Sequence, residues 1–329
     1  MTPSLSILDL AIVEHGQEVR DSLNATVVLA RHAEQHGFRR VWYAEHHNME
    51  AIASSATSVL IAHVAANTES IRLGAGGIML PNHAPLIIAE QFGTLAELHP
   101  GRIDLGLGRA PGSDQATQRA LRRGPTAADQ FPQDVLELQG YLSGSTRVPG
   151  VEATPGKGTS VPIYILGSSL FGASLAAALG LPFAFASHFA PAALDQAIAL
   201  YRRDFRPSEQ LERPHVIVGV NVVAAETSTM AEAHLLYAQR RRVGRFVAPG
   251  RALSDDEADA IIASRAGQQV LQMMECTAVG DPHAVQRYLE DFAASSHADE
   301  LIVTLISPTL EDRLRSATIL AGIAERSAA

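Results

Sequence analysis

Short runs of apolar residues alternate along the whole chain with longer amphipathic stretches. The runs that predict strands cover residues 5–13, 40–44, 71–80, 102–108, 161–166, 182–187, 215–225 and 300–306. The stretches with helical periodicity cover residues 22–36, 54–67, 83–99, 127–142, 171–179, 191–205, 230–238, 282–294 and 310–326. The pattern therefore predicts eight strands with helices between them.

Several of these strands, such as 161–166 and 182–187, are apolar almost throughout, which is typical of a parallel sheet covered on both faces. Eight such units predict an α/β fold, a closed (β/α)8 TIM barrel, formed by residues 1–329 as one domain. The alternative is a doubly wound open sheet. It is disfavoured by the strand count, and because Pro111 stands where a dinucleotide fingerprint needs its third glycine. The alternation of strand and helix patterns is interrupted at about residues 240–274, and we expect a mobile insertion there that covers the site.

Composition narrows the class of protein. The formal net charge of −9 disfavours nucleic acid as a partner, and no apolar run approaches the roughly 20 residues of a membrane helix. The start of the chain carries no basic segment typical of a signal peptide. The single cysteine, Cys276, excludes an intrachain disulfide framework. A cytoplasmic enzyme with a large core, and without a nucleic-acid or membrane partner, is the expectation.

Two predicted strands end in small residues that suit close approach to a ligand. Residues 74–77 read Gly-Ala-Gly-Gly, and the strand that ends at Gly108 is followed by Arg109. Gly167, Ser168 and Ser169 join another strand to a helix, so their N–H groups and hydroxyls suit an anion. The competing interpretation of these serines is an ordinary helix cap. A phosphate-bearing cofactor would unite them with Arg109.

Histidines follow two further strands. His46 and His47 are adjacent, so at most one of them faces the barrel mouth, where it is a candidate general base or hydrogen-bond donor. His188 ends the sixth strand and Asn221 lies within the seventh. Both are candidates for the pocket wall, and both are also compatible with buried structural roles. Because the histidines lack metal-ligand spacing, no metal site is predicted.

Five segments together closely resemble the bacterial luciferase-like flavin-dependent monooxygenases, in particular a single-chain subgroup that includes tailoring enzymes of aromatic polyketide pathways. The segments are 44–48 (AEHHN), 74–83 (GAGGIMLPNH), 100–112 (PGRIDLGLGRAPG), 166–169 (LGSS) and 180–189 (GLPFAFASHF). The resemblance spans nearly the whole chain. It implies a TIM barrel that binds FMN, reduced by a separate flavin reductase, and uses O₂ to transfer one oxygen atom through a flavin C4a-hydroperoxide.

The same resemblance assigns roles to individual positions. His46 matches the catalytic histidine, the Gly76–Gly77 bond matches a non-proline cis peptide under the flavin, and Arg109 and Ser169 match phosphate-binding residues. Gly167 and Ser168 are expected beside the phosphate, and Glu45, His188 and Asn221 beside the substrate. Gly108 replaces a reactive cysteine of luciferase and Ser168 replaces a glutamate, so light emission is not implied.

Other functions remain open at this point. They are hydride transfer with a deazaflavin (F420) on the same fold, a non-catalytic flavin-binding protein, and a metal-dependent barrel hydrolase. The substrate is expected to be a small organic molecule whose identity the sequence does not give. The helix 86–98 is apolar on more than one face, and we expect a homodimer, as in the resembling family.

Overall fold

In the computed structural model, residues 4–14, 16–110, 114–124 and 126–328 are described; Pro111, which entered the fingerprint test, lies outside them. The strands are β1 (Ser4–Asp9), β2 (Arg40–Tyr43), β3 (Arg72–Met79), β4 (Ile103–Gly108), β5 (Ile163–Gly167), β6 (Phe183–Phe185), β7 (Val216–Ala224), β8 (Thr277–Gly280) and β9 (Glu300–Leu305). The helices are α1 (Val19–Gln35), α2 (Thr57–Ala65), α3 (Pro85–Leu98), α4 (Gln115–Ala120), α5 (Phe131–Ser143), α6 (Leu170–Leu179), α7 (Leu194–Asp204), α8 (Ser228–Val247), α9 (Asp255–Ala263), α10 (Arg265–Gln272), α11 (Pro282–Ser295) and α12 (Leu310–Ala328).

Eight parallel strands close into a barrel. Neighbours pair in the order β1 to β7, then β9, which returns to β1. The predicted (β/α)8 TIM barrel is therefore confirmed, and each of the eight predicted strands corresponds to a barrel strand. Apolar residues of the strands and of the inward helix faces form one large core between the two layers. The near-continuous apolar strands bury their outer faces in this core, against the surrounding helices.

A ninth strand, β8, was not predicted. It pairs with the second half of β7, from Asn221 opposite Thr277 to Ala224 opposite Gly280, beyond the point where β6 leaves that edge. β8 has only four residues, too few for an alternating pattern to stand out.

The region 240–274 is more regular than the sequence suggested, because α8 continues to Val247 and α9 and α10 follow it. The acidic residues 255–257 occupy the first turn of α9, where negative charge favours a helix. Ser254 and Glu257 form a reciprocal capping box there. Whether this region moves, and the single-domain assignment of the whole chain, stay predictions.

A buried ion network closes the barrel interior at the end where the strands begin. Arg40, 1% exposed, contacts Asp104 at 2.7 Å, Glu300 at 2.9 Å and the Tyr164 hydroxyl at 2.7 Å. Burial disfavours the Arg40 charge, but the two carboxylates outweigh burial and raise its pKa. A ligand must therefore approach from the other end, where the strands finish. No helix in the described part of the chain has the length and apolarity that a bilayer crossing needs.

Candidate active site

The structure brings the predicted site residues to one end of the barrel. His46 follows β2, Arg109 follows β4, Ser169 follows β5 and His188 follows β6. Since all the strands are parallel, these residues share the carboxyl-terminal rim, which is where TIM-barrel enzymes carry their active sites.

Glycines make the close packing of β3 against β4 possible. A Cβ atom on Gly106 would lie 2.2 Å from the Ala75 carbonyl oxygen, and one on Gly77 would lie 2.7 Å from the Gly106 carbonyl oxygen. The pairing of the two strands shifts register between Ala75 and Ile78, and the Gly76–Gly77 peptide bond is cis, as the resemblance implied. Protein packing alone therefore requires small residues here.

The Glu45 side chain is buried and bonded within the protein. Its carboxylate, 1% exposed, contacts His47 Nε2 at 2.7 Å and His83 Nε2 at 2.9 Å, and accepts the Met79 N–H at 3.0 Å. The Glu45 N–H donates to the Gly77 carbonyl at 3.1 Å. Burial would raise the Glu45 pKa, but the hydrogen bonds from His83, His47 and Met79 outweigh it and lower that pKa. Glu45 thereby joins the end of β2 to the end of β3.

His46 is the histidine of the adjacent pair that keeps a free ring nitrogen. His47 is bonded to Glu45, whereas His46 Nδ1 is buried and makes no hydrogen bond of ordinary geometry to any described residue. Burial lowers the pKa of His46, more than the nearby Ala44 carbonyl raises it, and Arg245 lowers it further. The imidazole is therefore neutral near pH 7 and able to accept or donate one proton.

His188 and Asn221 form a connected pair. The Asn221 side chain is fully buried and donates to the His188 carbonyl at 2.9 Å. The His188 ring rests on bare backbone, since a Cβ on Gly219 would come within 2.2 Å of His188 Nδ1. Burial, with Arg242 and His46 nearby, lowers the pKa of His188 to about 4. His188 Nδ1 has no hydrogen-bond partner in the described chain.

Arg109 lies beside the start of α6. Gly108 pairs with Leu166, so Arg109 and Gly167 leave adjacent strands together. The Arg109 guanidinium carbon stacks 4.2 Å from the Phe171 ring centroid, in the first turn of α6, and its only ion pair among the described residues is a 3.7 Å contact with the exposed Asp129. Ser168 and Ser169 are exposed, and the Ser169 hydroxyl makes no capping bond to α6. Helix N–H groups, two hydroxyls and a guanidinium are thus available to an anion.

Two arginines that the sequence did not suggest also reach the rim. Arg242 and Arg245 lie in the part of α8 that was predicted to belong to the insertion at about 240–274, and they are the cations that lower the pKa of His188 and His46. The signal available was the three-residue spacing of two arginines on a continuing helical pattern.

Among the residues described, no three His, Cys, Asp or Glu side chains are grouped so as to hold a metal ion. Cys276 is buried in a bend before β8. Burial raises its pKa to about 11, which suppresses the thiolate.

A closed parallel barrel with histidines, an arginine and two exposed serines on its carboxyl-terminal rim has the architecture of a TIM-barrel enzyme. The family model for luciferase-like monooxygenases matches residues 6–299. The chain therefore belongs to the luciferase-like monooxygenase family and is an enzyme of that family.

Individual relatives agree with this assignment. A luciferase-like monooxygenase of Escherichia coli (strain K12) is 47% identical over 310 residues, covering 92% of this chain and 91% of that protein. The N-acetyl-S-alkylcysteine monooxygenase of Bacillus subtilis (strain 168) is 36% identical over 239 residues, or 70% of this chain and 71% of that protein. The crystal structure of apo-MsnO8 is 34% identical, with a TM-score of 0.88 over 98% of both chains.

More distant solved structures share the fold alone. One is the oxygenating constituent of 3,6-diketocamphane monooxygenase from a Pseudomonas putida plasmid, in complex with FMN, with a TM-score of 0.73 at 16% identity over 98% of this chain and 97% of that one. Another is an F420-dependent secondary alcohol dehydrogenase, with a TM-score of 0.72 at 16% identity over 97% and 98%.

Proposed function

We propose that the protein is an FMN-dependent monooxygenase that takes reduced FMN and O₂ and transfers one oxygen atom to a small organic substrate. The observation that carries this proposal is the pairing of an anion-binding corner at Arg109 and α6 with the half-buried His46, on the same barrel rim. The family membership and the monooxygenase names of two relatives support it.

The residues present fit a flavin mononucleotide. Its phosphate requires a cation and several donors, which Arg109, Ser168, Ser169 and the N–H groups around Gly167 supply. Its ring requires a surface without side chains, and we assign this surface to the Gly76–Gly77 segment, of which Gly76 is partly exposed. His46 Nδ1 is buried and has only the nearby Ala44 carbonyl, without a hydrogen bond of ordinary geometry, so a ligand would complete its hydrogen bonding.

When bound and reduced, the flavin supplies the electrons that activate O₂. The chain's own contribution is to bind, orient and exclude water. We assign His46 as the catalytic residue that holds or moves a proton at Nδ1. His188 lines the substrate side of the rim, and Asn221 positions it through the His188 carbonyl. Glu45 acts as a positioning residue for the His46 loop, since its oxygens are bonded to the protein.

The proposal extends to partners and location. The flavin would arrive reduced from a separate flavin reductase, in the cytoplasm. A homodimer is supported by apolar side chains exposed on α2 and α3, namely Val59 at 67%, Ile87 at 46% and Leu98 at 66%. Light scattering at micromolar concentration tests the dimer, and a monomer would contradict it.

Titration separates the proposed cofactor from its competitor. Oxidised FMN and F420 are each titrated into the protein, and FMN is expected to bind more tightly. Arg109→Ala should weaken FMN binding about tenfold or more and riboflavin binding little, because riboflavin lacks the phosphate. Arg203→Ala removes an exposed arginine of α7 and serves as the control.

Turnover is tested with reduced FMN from a reductase, ¹⁸O₂ and a substrate panel. One ¹⁸O atom per product, lost in His46→Ala, is the expected result. Preference for F420 with no oxygen uptake would favour hydride transfer instead. Normal FMN binding without turnover of any compound would favour a non-catalytic flavin protein.

A further inference from the structure

Helix α8 is fixed beside the barrel mouth by contacts on two of its sides. On one side, the Tyr237 hydroxyl donates to Glu14 at 2.8 Å and Arg241 contacts the same carboxylate at 3.1 Å. On another side, Arg240 pairs with Asp259 of α9 at 2.6 Å. Because Glu14 lies just beyond β1, the second half of α8 is held at the carboxyl-terminal rim.

Two arginines in the second half of α8 differ from the neighbouring arginines because they have no ion-pair or hydrogen-bond partner among the described residues. Arg240 and Arg241 each contact a carboxylate, whereas Arg242 and Arg245 make no ion pair or hydrogen bond with any described residue. Both are only partly exposed. Burial, followed by the charge of Arg245, lowers the pKa of Arg242 to about 10. Burial, followed by the charge of Arg241, lowers that of Arg245. Partly buried charges of one sign held close together are unfavourable unless an anion joins them.

The surroundings balance this charge only in part, because Glu14 raises the pKa of Arg245 less than burial and Arg241 lower it. The two candidate site histidines bring no negative charge, since His188 beside Arg242 and His46 beside Arg245 are neutral near pH 7. The two carboxylates nearest along the rim are already committed, Glu14 to Tyr237 and Arg241, and Glu45 to His83 and His47. The mouth therefore carries unbalanced positive charge directly beside the two candidate site histidines.

An apolar surface adjoins the charge. Phe246 follows Arg245 on α8 and faces Phe189, which follows His188, with 6.2 Å between ring centroids. Each of these phenylalanines is 44% exposed. A ligand that satisfies both features is amphipathic, with an anionic end and an apolar body.

We propose that Arg242 and Arg245 form the anion-binding subsite of the substrate pocket, and that the substrate is an organic acid whose carboxylate lies between the two guanidinium groups and whose apolar part contacts Phe189 and Phe246. This inference rests on the proposed function in taking the barrel mouth as the substrate pocket. Two planar guanidinium groups suit a carboxylate, which accepts paired hydrogen bonds. Arg109, on the far side of β5, remains the candidate for the flavin phosphate.

The test compares an acid with its uncharged isostere. Binding of 4-phenylbutanoate and 4-phenylbutanamide to the FMN-saturated protein is measured by titration calorimetry. The wild-type protein is expected to prefer the acid by about tenfold or more. Arg242→Gln and Arg245→Gln should each remove most of that preference and leave binding of the amide unchanged. Lysine at either position should restore part of it, because the charge returns without the planar fork. Arg203→Gln, with the same change in net charge, should behave like wild type.

Thermal unfolding provides a second readout. Removing an unpaired charge should leave the unfolding midpoint of both glutamine variants unchanged or higher, and a clear fall would show a structural role and overturn the proposal. Equal binding of acid and amide by the wild type, or an acid preference that survives in both variants, would also overturn it. Arg242→Gln weakening FMN but not riboflavin would assign the pair to the flavin phosphate instead.

The two proposals fail separately. When the protein is titrated without flavin, arginine-dependent binding of the acid together with no FMN affinity would reject the flavin function and uphold the subsite. Tight FMN binding with no acid preference would do the reverse.

Discussion

Replacing Glu45 by glutamine is expected to loosen the rim where the candidate site is built. The buried carboxylate contacts His47 and His83 and accepts the Met79 N–H. Glutamine keeps the shape but loses the charge and turns one acceptor oxygen into a donor. A hydrogen bond to a charged group contributes about 1.5–3 kcal/mol, so weakening two or three of them should lower the free energy of unfolding by about 2–4 kcal/mol.

The assay is urea denaturation at pH 7, with Glu209→Gln as the matched control, because Glu209 is exposed and carries the same chemical change. The pH dependence gives a second signature. The Glu45 pKa is lower when folded than its ordinary value of 4.5, so its contribution is complete above pH 4.5 and is lost as pH falls through the folded pKa. The difference between wild type and Glu45→Gln should therefore narrow below pH 4.5.

Equal stability of the Glu45→Gln and Glu209→Gln variants at pH 7 would refute the reasoning, and so would a difference that persists unchanged at acidic pH. FMN affinity serves as the functional readout. Because the Glu45 N–H also holds the Gly77 carbonyl, the variant should bind FMN more weakly while its His46 side chain is intact.

Three further predictions concern the barrel. Arg40→Met should destabilise the fold by about 3–5 kcal/mol in urea, since Asp104 and Glu300 would lose their central cation; a loss below 1 kcal/mol would contradict this. His188 titrates near pH 4 when folded and near 6.5 when unfolded, so its contribution to stability should be lost as pH falls from 6.5 to 4, by up to about 3 kcal/mol, and His188→Gln should show a flatter profile. Gly219→Ala should displace the His188 ring and shift its NMR-measured pKa toward 6.5, whereas an unchanged pKa would show that the ring accommodates the methyl group.

The barrel could be predicted because its strands are defined by short-range patterns. Each of the eight barrel strands is an apolar run that ends at the rim, so the residues that follow, such as His46 and Arg109, could be placed at one end of the molecule before the structure was known. The same reasoning predicted the first part of α8 at residues 230–238 and an insertion from about residue 240, whereas the helix continues to Val247, consistent with the helix propensity of arginine. It also missed α9 and α10, which have nine and eight residues and are too short for their pattern to stand out.

Side-chain roles were harder to predict because they depend on partners distant in sequence. Glu45 was expected beside the substrate, but its carboxylate contacts His83 and Met79, which come from the strand and turn that follow. The apolar or polar character of a residue indicates whether it is buried, but not which group it will meet. The sequence, in which Glu45 stands next to two histidines, could not show that its carboxylate is buried and bonded to these distant groups.

The roles of the α8 arginines were also impossible to predict from the sequence, because they too depend on distant partners. Arg240, Arg241, Arg242 and Arg245 are chemically identical in the sequence, and their positions on the helix differ only by angle. Asp259 and Glu14 neutralise the first two, which therefore hold the helix in place. No described carboxylate forms an ion pair with the other two, and they lie beside His188 and His46. Since an unpaired charge at a ligand-binding rim is unfavourable in the free protein, its presence is best explained by a charge that the ligand brings. Whether an arginine supports the fold or selects a substrate thus depends on its partners. The acid and amide titrations test this directly, because they supply the charged partner that Arg242 and Arg245 lack.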